Sequence, residues 1–280
     1  NENVKFEGDS GFDMPYKQAG DKQGELWNTR HEWYPHLRHL EVVGGEPMYI
    51  KQWHQIFDEL IELGYSKNIT LDMSSNCTII IPELLLKLKR NFRRIGIGLS
   101  VDGTEKIYEY LRHPGKWDEV YSNMKFYNKF HAENCLGDFD VLHHPYNDNT
   151  NIQITFTIGW LNALELPKIH QLVKDELTSY KKIWNNLIHY PDFMSLKAAP
   201  EDLKLYISQE WGNYDWGEYE KEIDAIENFM FSEVTDPYEF KRSYGQFSLI
   251  DKKRNEKIWD VIPEEYKPFL EKYTHNIEII

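Results

Sequence analysis

The feature that most constrains the fold is a regular alternation of short apolar strands with amphipathic segments of helical length. Every second residue is apolar in 69–73, 95–101 and 152–158, which is the period of a β-strand. Apolar residues spaced three and four apart fill the stretches between these strands, as in Trp53 to Ile61, and this spacing is typical of a helix. The alternation predicts βαβ units and therefore a parallel sheet.

The residues between the apolar strand positions indicate the kind of sheet. A sheet covered on both faces would show continuous apolar runs, whereas here the intervening positions are small or polar. They are Thr70, Asp72, Ser74, Gly96, Gly98, Ser100, Gln153, Thr155 and Thr157. We therefore predict an α/β fold, a partial (β/α)6 TIM-like barrel with parallel strands over residues 1–199 and a helical C-terminal extension over 200–280. An antiparallel sheet with one solvated face is the alternative.

The composition excludes several classes of partner. Asp and Glu number 46 against 32 Lys and Arg, so the net charge is −14, which argues against nucleic acid and anionic membranes as partners. The sequence has no run of roughly 18 apolar residues, so it predicts no membrane-spanning helix. The 2 cysteines, Cys77 and Cys135, cannot build a disulfide framework, which favours a reducing compartment and hence the cytoplasm.

The most specific segment is Val43-Gly44-Gly45-Glu46-Pro47, directly after the first predicted strand, 38–43. Two glycines let the backbone approach a ligand closely, and the proline fixes the turn into the next helix. Exposed carbonyl groups beside a carboxylate suit an ammonium group, because each offers hydrogen-bond acceptors. An ordinary turn without a ligand is the alternative.

Gly44-Gly45-Glu46-Pro47 resembles the string with which radical S-adenosylmethionine (AdoMet) enzymes hold the amino group of AdoMet. Other segments resemble this family in the same order along the chain, over roughly residues 35 to 200. These are Ser75-Asn76-Cys77, with cysteine in place of the family's glycine, Gly98-Leu99-Ser100-Val101-Asp102-Gly103, Arg112 followed by Trp117, and Asn162. The segment His189 to Ser195 resembles the twitch and SPASM-type subgroup.

The resemblance implies a set of AdoMet-binding residues at the carboxyl ends of the strands. That set is Gly44, Gly45, Glu46 and Pro47 for the ammonium group, Asn76 to orient a loop, Ser100 and Arg112 for the carboxylate or ribose, and Asp102 and Asn162 for ribose hydroxyls. Each has a plainer interpretation. Asp102-Gly103 is also an ordinary turn, Arg112 could form a surface ion pair, and Asn162 could cap the following helix.

The chain departs from the family at the iron–sulfur cluster. The family ligates a [4Fe-4S] cluster through Cys-x3-Cys-x2-Cys, and such clusters need closely spaced thiolates. With Cys77 and Cys135 alone, this chain cannot bind the cluster in that way. We expect an amino-terminally truncated fragment whose cluster loop precedes Asn1 and which is inactive by itself. A degenerate, cluster-free relative is the alternative.

The intact protein is accordingly expected to be an enzyme. The resemblance implies reductive cleavage of AdoMet to a 5′-deoxyadenosyl radical and hydrogen abstraction from a substrate. The resemblance to the subgroup implies a peptide or protein as that substrate. It also implies an electron donor such as a flavodoxin or ferredoxin. No catalytic residue is identified, and His143-His144 with Asp148 is a weak metal candidate because loop histidines are usually solvated. A non-catalytic scaffold for ligand binding or interaction is the competing hypothesis.

Overall fold

The computed structural model describes residues 25–132, 150–180, 182–234 and 237–274. The strands are β1 (His39–Val42), β2 (Thr70–Ser75), β3 (Arg94–Ser100), β4 (Thr150–Ile158) and β5 (Ile183–Leu187). The α-helices are α1 (Glu25–Trp33), α2 (Lys51–Glu62), α3 (Pro82–Asn91), α4 (Glu105–Leu111), α5 (Trp117–Ala132), α6 (Glu165–Asp175), α7 (Glu201–Gly212), α8 (Glu220–Met230), α9 (Pro237–Arg254) and α10 (Lys267–Thr274).

Five parallel strands form one sheet in the order β1-β2-β3-β4-β5, which confirms the predicted α/β class. At least one helix lies between each strand and the next along the chain, as parallel connections require. In the register, Leu40 lies opposite Leu71 and Met73 opposite Ile97. The order follows the chain without the reversal of a doubly wound sheet, and it matches the succession of strands in a β/α barrel.

The two faces of the sheet differ as the sequence predicts. Along β4, buried residues alternate with half-buried ones over the whole strand, and β2 shows the same alternation. Ile154 and Phe156 are fully buried, whereas Thr155 and Thr157 between them are half-buried. One face of these strands is therefore apolar core and the other is available for polar contacts.

The chain divides into two compact units whose boundaries cut across β3 and β4. The first unit comprises residues 1–99, 123–153 and 179–182, and the second comprises residues 100–122, 154–178 and 183–280. The first contains the Gly44-Gly45 turn, and the second contains α4 and all helices from α6 onward. The predicted division between residues 199 and 200 falls inside the second unit and stays a prediction.

The C-terminal segment contains several helices, with a break after α9. α9 ends at Arg254, and Asn255 adopts a left-handed conformation with φ 55°. Short 3-10 turns then precede α10, one of them beginning directly after Pro263. A positive φ cannot continue a right-handed helix, so the propensity of the charged residues is overridden at this point.

Among the described residues, no helix is both long and apolar enough to cross a membrane.

Candidate functional site

The turn after β1 requires its two glycines. Gly44 and Gly45 have φ values of 79° and 62°, a conformation that costs other residues roughly 1–2 kcal/mol each. Both glycines are exposed, while Glu46 and Pro47 directly after them are buried. The turn therefore leaves backbone groups accessible next to a buried carboxylate, the arrangement that the sequence predicts for an ammonium group.

Glu46 joins the turn to the end of β2. Its Oε1 accepts the Met48 N–H (3.2 Å), its Oε2 accepts the Asn76 N–H (2.8 Å), and the Ser75 hydroxyl lies 3.1 and 3.2 Å from the two oxygens. The residue is 9% exposed, and burial raises the pKa of its carboxyl group. No Lys, Arg or His of the described ranges forms an ion pair with Glu46. Its partners are thus neutral dipoles, and a cation would stabilise its charge.

The loop after β2 places Asn76 and Cys77 beside this carboxylate. The Asn76 Oδ1 accepts the N–H (3.0 Å) and the hydroxyl (2.6 Å) of Thr78, so the side chain holds its own loop. Cys77 is buried and has a φ of 62°, and its carbonyl accepts the Asn123 amide (2.8 Å). The backbone here has the left-handed conformation that glycine adopts most easily.

The second unit contains a cavity of about 250 Å³. Three of the predicted residues, Asp102, Arg112 and Asn162, line it together, although they lie on separate elements. Ser100, at the end of β3 in the same unit, is half-buried. The other members of the predicted set, Gly44 to Pro47 and Asn76, belong to the first unit.

Asp102 holds Arg112 at the cavity. The Arg112 Nε donates to Asp102 Oδ2 (2.6 Å), and the two side chains are 30% and 11% exposed. Asp102 Oδ1 accepts the Thr157 N–H (2.8 Å), so this carboxylate also ties β4 to the loop after β3. The pair fits the simpler interpretation of Arg112 as an ion-pair partner. Its two terminal nitrogens make no hydrogen bond with the described residues, and Arg112 lines the cavity.

Asn162 uses its whole amide group to brace this loop. Its Oδ1 accepts the Gly159 N–H (2.7 Å), and its Nδ2 donates to the carbonyl oxygens of Asp102 (2.8 Å) and Thr157 (3.0 Å). Asn162 is 2% exposed, so it positions Asp102 rather than facing solvent. It does not cap α6, whose N-cap residue is Leu164. A contact of Asn162 with ribose stays a prediction.

Sequence reasoning missed much of the cavity wall. A Cβ at Gly159 would collide with the carbonyl oxygen of Met194, so only glycine permits this close approach. Phe247 of α9 also lines the cavity. The sequence signal for this helix is the spacing of Phe240, Tyr244 and Phe247, which places them on one helix face. The structure shows all three buried.

The described residues do not fit an iron–sulfur cluster. Cys77 is buried, and burial raises the pKa of its thiol, whereas a cluster needs thiolates. Cys135 and the metal candidate His143-His144 with Asp148 lie outside the described residues. Within the described ranges, no group of three or more His, Cys, Asp or Glu side chains could hold a metal ion.

Comparison with known proteins gives structural similarities only. No family model matches the chain, and no curated protein matches it significantly. Among solved structures, native anSMEcpe with bound AdoMet and Cp18Cys peptide is similar over 71% of this chain and 50% of its own, with 18% identity and a TM-score of 0.41. Streptococcus suis SuiB bound to S-adenosylmethionine is similar over 65% of this chain and 39% of its own, with 13% identity and a TM-score of 0.38. The chain therefore spans about half the length of the first structure and less than half the length of the second.

Proposed function

We propose that this chain is the AdoMet-binding part of a radical AdoMet enzyme. The observation that carries the proposal is the cavity at which Asp102, Arg112 and Asn162 meet. All three occupy motif positions that resemble the family, and hydrogen bonds join them into one network. The network depends on tertiary structure, since 60 residues separate Asp102 from Asn162.

The chemistry of the cavity suits the nucleoside part of AdoMet. Pockets for small molecules commonly enclose roughly 300–1,000 Å³. The cavity of about 250 Å³ is therefore large enough for part of AdoMet, such as its nucleoside. The Arg112 fork can donate to ribose or carboxylate oxygens. The Asp102 carboxylate has acceptor capacity beyond its bonds to Arg112 and the Thr157 N–H, and it can accept from ribose hydroxyls. In the first unit, the Gly44-Gly45 turn and Glu46 suit an ammonium group.

When AdoMet is bound, its adenosyl group would supply the radical chemistry. The protein would supply binding and orientation. The 2 cysteines of this chain do not fit a cluster, so its residues support AdoMet binding. A peptide or protein substrate, a flavodoxin- or ferredoxin-like electron donor and a cytoplasmic location are parts of the proposal that follow from the resemblance alone.

Titration calorimetry of the full 280-residue chain with AdoMet tests the proposal. We expect saturable binding by the wild type and a loss of about tenfold or more in Arg112→Ala, because a charge-assisted hydrogen bond contributes about 1.5–3 kcal/mol. Glu46→Gln should also weaken binding. Glu41→Gln removes an exposed carboxylate of β1 and is the matched control. Absence of AdoMet binding by the folded wild type would overturn the proposal.

Product analysis tests the expected inactivity of this chain by itself. We expect this chain, incubated anaerobically with a reductant and AdoMet, to release no 5′-deoxyadenosine. Formation of that product by the chain alone would contradict its inactivity. AdoMet binding distinguishes the proposed function from a scaffold that has kept only the fold.

A further inference from the structure

The cavity of the second unit is lined by apolar residues as well as by Asp102 and Arg112. Ile188, Met194 and Phe247 are among the apolar ones. Phe247 belongs to α9 and lies outside the motif positions between residues 35 and 200 that resemble the AdoMet family. We propose that Phe247 contacts the purine ring of the bound nucleoside, so that the C-terminal helical segment determines which bases the cavity accepts. This inference rests on the proposed function, because it assumes a nucleoside in the cavity.

The Phe247 ring is held in a fixed orientation. Trp160 and Phe193 cross it at nearly right angles, at 85° and 89°, with centroid distances of 5.7 and 5.0 Å. Trp160 is itself fixed, because its Nε1 donates to the Phe193 carbonyl (2.8 Å). Phe247 is 1% exposed and borders the cavity. A ring fixed in this way offers a planar ligand an aromatic contact with little further loss of side-chain entropy.

The helix that carries Phe247 is attached to the helix that precedes Arg112. The Tyr110 hydroxyl of α4 donates to Asp251 Oδ1 of α9 (2.8 Å), and the Arg254 Nη1 donates to the Tyr110 carbonyl (2.8 Å). Tyr110 also lies 6.4 Å from Phe247 between ring centroids. Arg112 is the C-cap residue of α4. The same attachment therefore sets the positions of the polar donor and the apolar wall, as a ligand with a polar sugar and a planar base requires.

Two kinds of titration of the full chain test this inference. AdoMet and adenosine are titrated into the wild type, Phe247→Leu and Leu249→Ala. Leu249 lies on the same helix and is 58% exposed, so its truncation controls for changes in α9. We expect Phe247→Leu to weaken both ligands about tenfold, in line with the loss of one base–aromatic contact. Leu249→Ala should bind both ligands as the wild type does.

The outcomes separate this inference from the proposed function. A wild type that binds neither ligand overturns the proposed function. A wild type that binds both, with unchanged affinity in a folded Phe247→Leu, overturns the role of Phe247 alone. If Phe247→Leu does not fold, the wild type labelled at phenylalanine is used for nuclear Overhauser measurements. Contacts from purine H2 or H8 to the Phe247 ring support the inference, and their absence at saturation contradicts it.

Discussion

Two buried carboxylates organise the ends of strands in this protein, and their surroundings differ. Glu46 in the first unit accepts hydrogen bonds only from neutral groups, the Met48 and Asn76 N–H groups and the Ser75 hydroxyl. Asp102 in the second unit accepts one backbone N–H and is paired with Arg112. Both are 8–9% exposed, so burial does not distinguish them.

The difference shows how neighbouring charge decides what a buried carboxylate can do. Without a cationic partner among the described residues, Glu46 is a negative centre whose pKa is raised by burial, and a ligand cation would lower its free energy. Asp102 is neutralised by Arg112 and therefore fixes the orientation of a guanidinium whose outer nitrogens can bind a polar or anionic group. The first carboxylate suits a cation, and the second positions a donor.

The largest effect is expected at the paired carboxylate. Asp102→Ala leaves Arg112 and the Thr157 N–H without their acceptor, so we expect a loss of about 3 kcal/mol in the free energy of unfolding. Urea denaturation measures it, with the exposed Asp224→Ala as the control, expected within about 0.5 kcal/mol of wild type. The double variant Asp102→Ala/Arg112→Ala should lose less than the sum of the single losses. Additive losses would show that the two side chains are not coupled.

A second prediction uses a glutamate of the first unit that does have a cationic partner. Glu59 accepts hydrogen bonds from Arg30 Nε (2.7 Å) and Nη2 (2.9 Å) and from the Tyr34 hydroxyl (2.7 Å). These bonds, those from Arg30 above all, lower its pKa to about 2. Because the folded pKa lies below the unfolded value, this stabilisation is complete above about pH 4.3 and is lost as the pH falls towards 2. We expect Glu59→Gln to lose about 2 kcal/mol at pH 7 and much less near pH 2.

Denaturation at several pH values checks this, with Glu62→Gln on the same helix as the exposed control. A loss in Glu59→Gln that is equal at pH 7 and pH 2 would contradict the charged partnership with Arg30.

The unpaired Glu46 should show the opposite dependence on pH. Its folded pKa is raised, so the folded state binds the proton more tightly than the unfolded state, and ionisation of Glu46 costs stability as the pH rises through that pKa. Glu46→Gln places an amide donor among N–H donors, for a loss of about 1–2 kcal/mol. That loss should grow as the pH falls from 7 to 5, because only the wild type gains from protonation. If the difference in unfolding free energy between wild type and Glu46→Gln became smaller as the pH falls from 7 to 5, a cation would already pair with Glu46.

The smallest effect concerns the loop next to Glu46. Cys77 has a φ of 62° and is fully buried, so Cys77→Ala keeps the unfavourable backbone, while Cys77→Gly relieves it. Both variants lose the sulfur contacts, and we expect Cys77→Gly to be more stable than Cys77→Ala by about 1 kcal/mol. Thermal denaturation of the two variants measures the difference. Equal or reversed stabilities would mean that the side chain sets the shape of this loop.

Local patterns predicted the regular elements well where periodicity and turn chemistry agree. Pro82 begins α3, and Gly64, with φ 77°, follows the end of α2, which are common places for proline and glycine at helix ends. Prediction was poorer beyond α8, where the aromatic stripe from Phe240 to Phe247 was overlooked. The charged and aromatic residues of this segment have similar intrinsic preferences for helix and for loop. Tertiary packing therefore decides where each helix begins and ends.

The candidate site was predictable residue by residue but not as a network. The motif resemblance named Glu46, Arg112 and Asn162, yet the sequence could not show that the Asn162 amide binds only backbone groups or that Arg112 is held by Asp102. Hydrogen-bond partners 10 to 60 residues apart depend on the folded backbone.

The sequence by itself determined the parallel α/β class, the glycine turn before Glu46 and the order of the polar residues along the strand ends. These follow from local rules, namely the two-residue and 3.6-residue periods and the steric freedom of glycine. Only the tertiary structure decided which carboxylate is paired and that Phe247 of α9 lines the cavity. Pairing and cavity walls are set by distances between segments remote in sequence, and no local preference encodes those distances.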